Sequence, residues 1–140
     1  MFAMTPEKTG YLDVIGPQIG IESSAYEYVV TKGITPSKDF MLGGGQTYTF
    51  SDPFESSLSV ALNDRARVKA VSSNGRTPLI WSTFVNSGSA VVCNIGIYGK
   101  VFRGFYASAF SLLGSATAYP VINSAAFYLD DFPSPVPSGN

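Results

Sequence analysis

Alternating apolar and polar positions dominate the middle of the chain, which is the pattern of half-buried β-strands. Leucine or valine occupies every second position in residues 58–62. Three further apolar runs follow, at residues 68–72, 79–84 and 90–95. Short polar turns separate the runs, and one of them carries the Asn74-Gly75 pair that favours a tight hairpin. This pattern predicts four strands joined into an antiparallel meander.

Two earlier segments also have strand character. Ala25 to Thr31 is rich in β-branched and aromatic residues, and residues 46–50 alternate polar with aromatic side chains. Turn residues at 35–39 and three consecutive glycines at 43–45 lie between these segments. Gly43-Gly44-Gly45-Gln46 lacks the Lys-Ser/Thr pair of a phosphate loop, so we interpret it as a flexible turn.

Helical signals lie near both ends of this strand-rich region. Thr5-Pro6-Glu7 is a helix-start signature and Gly16-Pro17 stops the segment, which predicts a helix over residues 6–15. Aromatic and aliphatic residues recur at three- and four-residue spacing from Lys100 to Leu113, just before Gly114. The predicted fold class is α/β or α+β, with a mixed, largely antiparallel sheet, two flanking helices and the aromatic face of the second helix on the sheet.

The end of the chain combines a strand pattern with two carboxylates. Residues 125–129 form an apolar run that ends at Asp130 and Asp131, and prolines follow at 133, 135 and 137. Proline cannot continue a strand ladder, so the strand must stop at the aspartates. Strand ends that become loops often present a base or a metal ligand in α/β scaffolds. We therefore interpret the sequence as part of a larger protein.

Composition narrows the class of partner and of chemistry. The net charge is −1 without any basic run, which argues against nucleic acid, and no apolar run has the length of a membrane span. Charged residues make up only 14% of the chain, which favours an extracytoplasmic protein or a fragment with an exposed former interface. Histidine is absent, so this chain alone has neither a Ser/His or Cys/His nucleophilic site nor a histidine-containing metal site.

Other candidate residues have plainer interpretations. Cys93 lies in an apolar strand and is interpreted as a buried small hydrophobe rather than a nucleophile. Trp81, with Tyr48, Phe84 and Tyr98, could form a sugar-stacking platform, but its apolar context favours a core position. Scattered cations are interpreted as solvated, namely Arg65, Arg67 and Arg76.

Three segments carry a resemblance to a known family. They are Pro78-Leu-Ile-Trp81, Gly99-Lys-Val-Phe-Arg-Gly104 and the ending from Pro120 to Gly139, which includes Leu129-Asp-Asp-Phe-Pro-Ser-Pro135. The chain resembles a bacterial family catalogued as domain of unknown function 2194. In that family a Rossmann-like or amidotransferase-like region precedes a barrel related to polysaccharide deacetylases. The resemblance implies that residues 1–119 are the C-terminal part of the accessory domain and residues 120–140 a linker and the first, truncated barrel strand.

The resemblance also implies a chemistry for the longer protein. Asp130 would be the general base, and Asp131 would join two later histidines in holding a divalent, zinc-like metal that acts on a polysaccharide. This chain would have no cofactor of its own and would pack against the flanking domain. Three hypotheses follow: a non-catalytic segment of a deacetylase-related envelope protein, a self-contained β-rich glycan- or protein-binding module, or a purely structural interdomain piece.

Overall fold

The computed structural model describes residues 10–86, 88–96 and 99–114. Within these ranges five strands form one sheet and two helices flank it. The strands are β1 (Ile21–Pro36), β2 (Tyr48–Leu62), β3 (Arg67–Ser72), β4 (Pro78–Val85) and β5 (Gly88–Cys93). Their order is β2-β1-β3-β4-β5, and every neighbouring pair is antiparallel. The fold class is confirmed, whereas its Rossmann-like or amidotransferase-like detail stays a prediction.

The long strand β2 joins two segments that the sequence pattern separates. Residues 46–50 and 58–62 were predicted as different strands, yet β2 continues through Asp52 and Pro53. Proline has no amide hydrogen for a ladder, but an edge strand has one side without a partner strand. Because β2 is at the edge of the described sheet, it tolerates Pro53, and register shifts in the β1–β2 pair absorb the irregularity.

The predicted four-strand meander is wrong in one pairing. Residues 58–62 do not lie next to β3, because β1 separates the two strands. β1 has 16 residues, which is long enough to pair with β2 over most of its length and with β3 through Ile34–Pro36. The rest of the meander, β3-β4-β5, is confirmed, and Gly75 has φ 73° in the β3–β4 turn. Residues 35 and 36, predicted as turn, end β1 instead.

The second predicted helix is confirmed with shorter bounds. Lys100–Phe102 is a 3-10 turn that leads into α2 (Arg103–Ser111). The α2 side that faces the sheet buries Phe105 and Ala109, next to Phe102 of the preceding turn. The ring of Phe102 lies 5.1 Å from that of Phe50 and 5.5 Å from that of Phe54, both on β2. Each such ring buried contributes about 1.5–3 kcal/mol, so this cluster fixes the helix on the sheet.

The first helix is short and continues into a tighter turn. α1 spans Tyr11–Ile15, and Gly16–Ile19 follows as a 3-10 helix. The predicted start at Pro6 lies outside the described residues. Trp81 is fully buried on β4, and its indole nitrogen donates a 2.8 Å hydrogen bond to the carbonyl of Ile19. This bond secures the N-terminal turn to the centre of the sheet.

Candidate functional site

The two aspartates predicted as base and metal ligand, Asp130 and Asp131, lie outside the described residues, as does the predicted domain boundary near residue 119. Within residues 10–86, 88–96 and 99–114, no group of three or more His, Cys, Asp or Glu side chains could hold a metal ion.

Cys93 has the environment of a structural thiol. It is half-buried at the end of β5 and packs against the hydrophobic core. Burial raises its pKa to about 11 because the thiolate would lose solvation. A thiol that is protonated at neutral pH is a poor nucleophile, in agreement with its interpretation as a small hydrophobe.

The aromatic platform considered from the sequence is divided by the sheet. Trp81 is fully buried, which confirms its predicted core position. Phe84, three residues later on the same strand, is 74% exposed. Tyr48 lies on β2, where its hydroxyl donates to the carbonyl of Gly43, and Tyr98 lies outside the described residues. Among the three described members of this set, Phe84 presents the most exposed ring.

Exposed Phe84 shares a hollow with Asp64, Arg65 and Arg67, which we name the arginine hollow. The hollow is open and has a volume of about 400 Å³. Arg67 begins β3 and pairs with Ser82 on β4, two residues before Phe84. Paired residues and residues two apart project from the same face of a sheet, so this register brings Arg67 and Phe84 to one side.

A hydrogen-bonded turn supplies the other two residues of the arginine hollow. The side chain of Asn63 accepts a 3.1 Å hydrogen bond from the amide of Arg65 and donates a 3.2 Å bond to the carbonyl of Pro17. The backbone amide of Asn63 also donates to the carbonyl of Gly20 at 3.0 Å. The β2–β3 turn is thereby held against the N-terminal 3-10 helix, which fixes the position of Asp64 and Arg65.

The arginine hollow carries more positive than negative charge. Within the described ranges Arg65 and Arg67 form no ion pair. The salt bridge found there joins Lys69 to Asp39 at 2.6 Å. Two guanidinium groups thus stand beside a single carboxylate, Asp64. The sequence pattern predicts that both arginines are simply solvated, because their proximity to Phe84 depends on the β3–β4 register and not on local pattern.

A second, smaller concavity has a structural role. Tyr26 has φ 55° within an irregular part of β1, and its hydroxyl donates a 2.6 Å hydrogen bond to Asp13 of α1. This bond raises the pKa of Tyr26, since the phenol donates to a carboxylate. Tyr26 and Asp13 both line the concavity, which has a volume of about 140 Å³. The contact ties α1 to β1.

Family comparison supports the resemblance noted from the sequence. The profile of the family described as "Uncharacterised protein conserved in bacteria (DUF2194)" matches residues 47–140, more than half of the chain. The chain belongs to this DUF2194 family. The matched range contains β2 to β5, α2 and all four residues of the arginine hollow, whereas α1 and β1 precede it. Comparisons with curated proteins and with solved structures gave no match. Neither described helix has the length and hydrophobicity needed to cross a membrane.

Proposed function

We propose that the described domain is a non-catalytic accessory part of a bacterial cell-envelope protein related to metal-dependent polysaccharide deacetylases. The observation that carries the proposal is the outer face of α2 and its flanking turns, where Val101, Phe110 and Leu113 are 70%, 69% and 48% exposed. The inner face of the same helix packs on the sheet. Exposed apolar side chains on a helix and on both of its flanking turns, opposite a packed inner face, are typical of a surface that a second layer covers.

The partner proposed for this face is the flanking part of the same protein. Residues 115–140 follow α2 and its C-terminal turn in the sequence and include the Leu129-Asp-Asp-Phe-Pro motif on which the family resemblance depends. The low content of charged residues, 14%, supports an envelope location and a domain whose surface is partly covered.

The catalytic group of such a protein is not complete within this chain. Asp130 is proposed as the base and Asp131 as a metal ligand, but the sequence has no histidine and the described residues add no ligand cluster. Two carboxylates without nitrogen ligands do not make a typical zinc site. The chain of 140 residues is therefore expected to have no deacetylase activity by itself.

The proposal is tested on the longer protein that contains this chain. Deacetylation of an acetylated polysaccharide should be lost in Asp130→Asn and in Asp131→Asn, while the control Asp52→Asn on the exposed edge of β2 should keep it. Replacing Phe110 and Leu113 by serine should weaken the association of the accessory domain with the rest of the protein, measured as faster limited proteolysis between them. Full activity in both aspartate variants would contradict the proposed relation to deacetylases.

The second candidate is a glycan-binding module, and the arginine hollow is the observation that favours it. The hollow combines a bare aromatic ring with guanidinium groups that have no ion partner in the described ranges. A purely structural interdomain piece would account for the outer face of α2 but would not require such a hollow. Binding of a glycan to the isolated chain therefore distinguishes these two hypotheses.

A further inference from the structure

We propose that the arginine hollow binds a carboxylated sugar residue within an acidic polysaccharide. Arg65 and Arg67 contact the carboxylate, and the ring of Phe84 packs against the apolar face of the sugar ring. The proposal goes beyond the accessory role, because it gives this domain a ligand of its own. It also does not depend on any relation to deacetylases.

The charges of the hollow fit a carboxylate better than a phosphate. A guanidinium group presents several N–H donors in one plane, which matches the two oxygens of a carboxylate. Asp64 lines the same hollow and repels anions. Because repulsion grows with the charge of the ligand, Asp64 disfavours a dianionic phosphate more strongly than a singly charged carboxylate.

The shape of the hollow fits one residue of a polymer. Its volume of about 400 Å³ is within the usual range for small-molecule sites, about 300–1,000 Å³. The hollow is open to solvent, so one sugar residue can enter it while the rest of the polymer stays in solvent. Phe84, at 74% exposure, supplies a flat apolar surface that a sugar ring can cover without displacing core residues.

The surrounding sheet argues against an extended acidic peptide as the ligand. Peptides commonly bind to sheets by pairing with an unpaired strand edge. Arg67 and Phe84 lie on β3 and β4, and each of these strands has a neighbouring strand on both sides. The register leaves Arg67–Lys69 without paired residues on β1 and residues 83–85 without paired residues on β3. Stretches of this length offer little backbone for an added strand, so recognition relies mainly on side chains.

The test measures binding of oligogalacturonate to the 140-residue chain by isothermal titration calorimetry, with cello-oligosaccharide of the same length as the neutral comparison. We expect binding of the uronate only, and weaker binding as salt is added. Arg65→Gln, Arg67→Gln and Phe84→Ser should each weaken binding roughly tenfold, the effect of losing one charge-assisted or stacking contact. Arg76→Gln is the matched control, because Arg76 is exposed at the far end of the β3–β4 hairpin and should leave affinity unchanged.

Four results would overturn the proposal. They are no binding of the uronate, equal binding of the neutral oligosaccharide, an equal loss of affinity in Arg76→Gln, and equally tight binding of polyglutamate that does not depend on Phe84. Circular dichroism of each variant checks that it is folded, and the exposed positions of the substituted side chains make unfolding an unexpected outcome. The binding assay depends on neither Asp130 nor a metal. A negative result would therefore reject the uronate site only, and the accessory role would still be tested by the aspartate variants and by proteolysis.

Discussion

Asn94 is the side chain whose removal should destabilise the sheet most directly. It directly follows β5 and is 2% exposed. Its side-chain amide bonds both backbone groups of Leu58 on β2, as a residue of a paired strand would. Its carbonyl oxygen accepts a 2.8 Å hydrogen bond from the amide of Leu58, and its amide nitrogen donates to the carbonyls of Leu58 at 2.8 Å and Pro78 at 3.0 Å. β2 and β4 are not neighbours in the sheet order, so Asn94 fastens the curled sheet across its interior.

The expected cost of Asn94→Ala follows from the groups it leaves without partners. Each buried donor or acceptor that loses its partner costs about 1–3 kcal/mol. Three hydrogen bonds to buried backbone groups are lost, and water entering the cavity would recover part of that energy, so we expect a loss of about 4 kcal/mol in the free energy of unfolding. Total stabilities of single domains are only about 5–15 kcal/mol, so this variant should be marginal.

Urea unfolding followed by circular dichroism measures this loss. With a slope of about 2 kcal/mol per M, the midpoint should fall by about 2 M. Asn74→Ala is the control, because Asn74 is exposed in the β3–β4 turn and its hydrogen bonds are local, so its cost should be at most about 1 kcal/mol. If Asn94→Ala and Asn74→Ala unfold at the same urea concentration, the bridging role assigned to Asn94 is wrong.

Three further predictions concern single groups. Thr83→Val should keep or raise the unfolding midpoint, since the Thr83 hydroxyl is buried without a hydrogen-bond partner in the described structure; a loss above about 1 kcal/mol would contradict this. The Cys93 thiol of the folded protein should react with iodoacetamide only slowly below pH 11, and faster once the protein is unfolded in urea. The free energy of unfolding should fall between about pH 9 and 11, because the thiol of the unfolded chain has ionised in this range and that of the folded chain has not. NMR should show a pKa of about 2 for Asp39, because Lys69 and Ser37 donate hydrogen bonds to its carboxylate. The small contribution of Asp39 to stability should therefore be lost as the pH drops from about 4 to 2. Lys69→Met should raise this pKa, and an unchanged pKa would show that Lys69 does not lower it.

Local residue patterns were sufficient to locate most of the individual elements. Alternation and turn residues predicted β3, β4, β5 and the hairpin at Gly75, and aromatic spacing predicted the helix that covers the sheet. These predictions hold because side-chain periodicity and turn chemistry act within a few residues. The family also followed from sequence, since it depends on short motifs rather than on contacts.

Which elements lie next to each other depends on long-range strand pairing. Local pattern does not encode partner or register between distant strands, so it could not show that β1 inserts between β2 and β3 or that β2 runs through Pro53. The same register buries Trp81, exposes Phe84 and brings Arg67 to the hollow. Asn94 falls inside the run 90–95 that the pattern predicts as a strand, and its bridge to Leu58 exists because the sheet curls. The candidate site is therefore a product of long-range pairing, which the order of residues alone does not reveal.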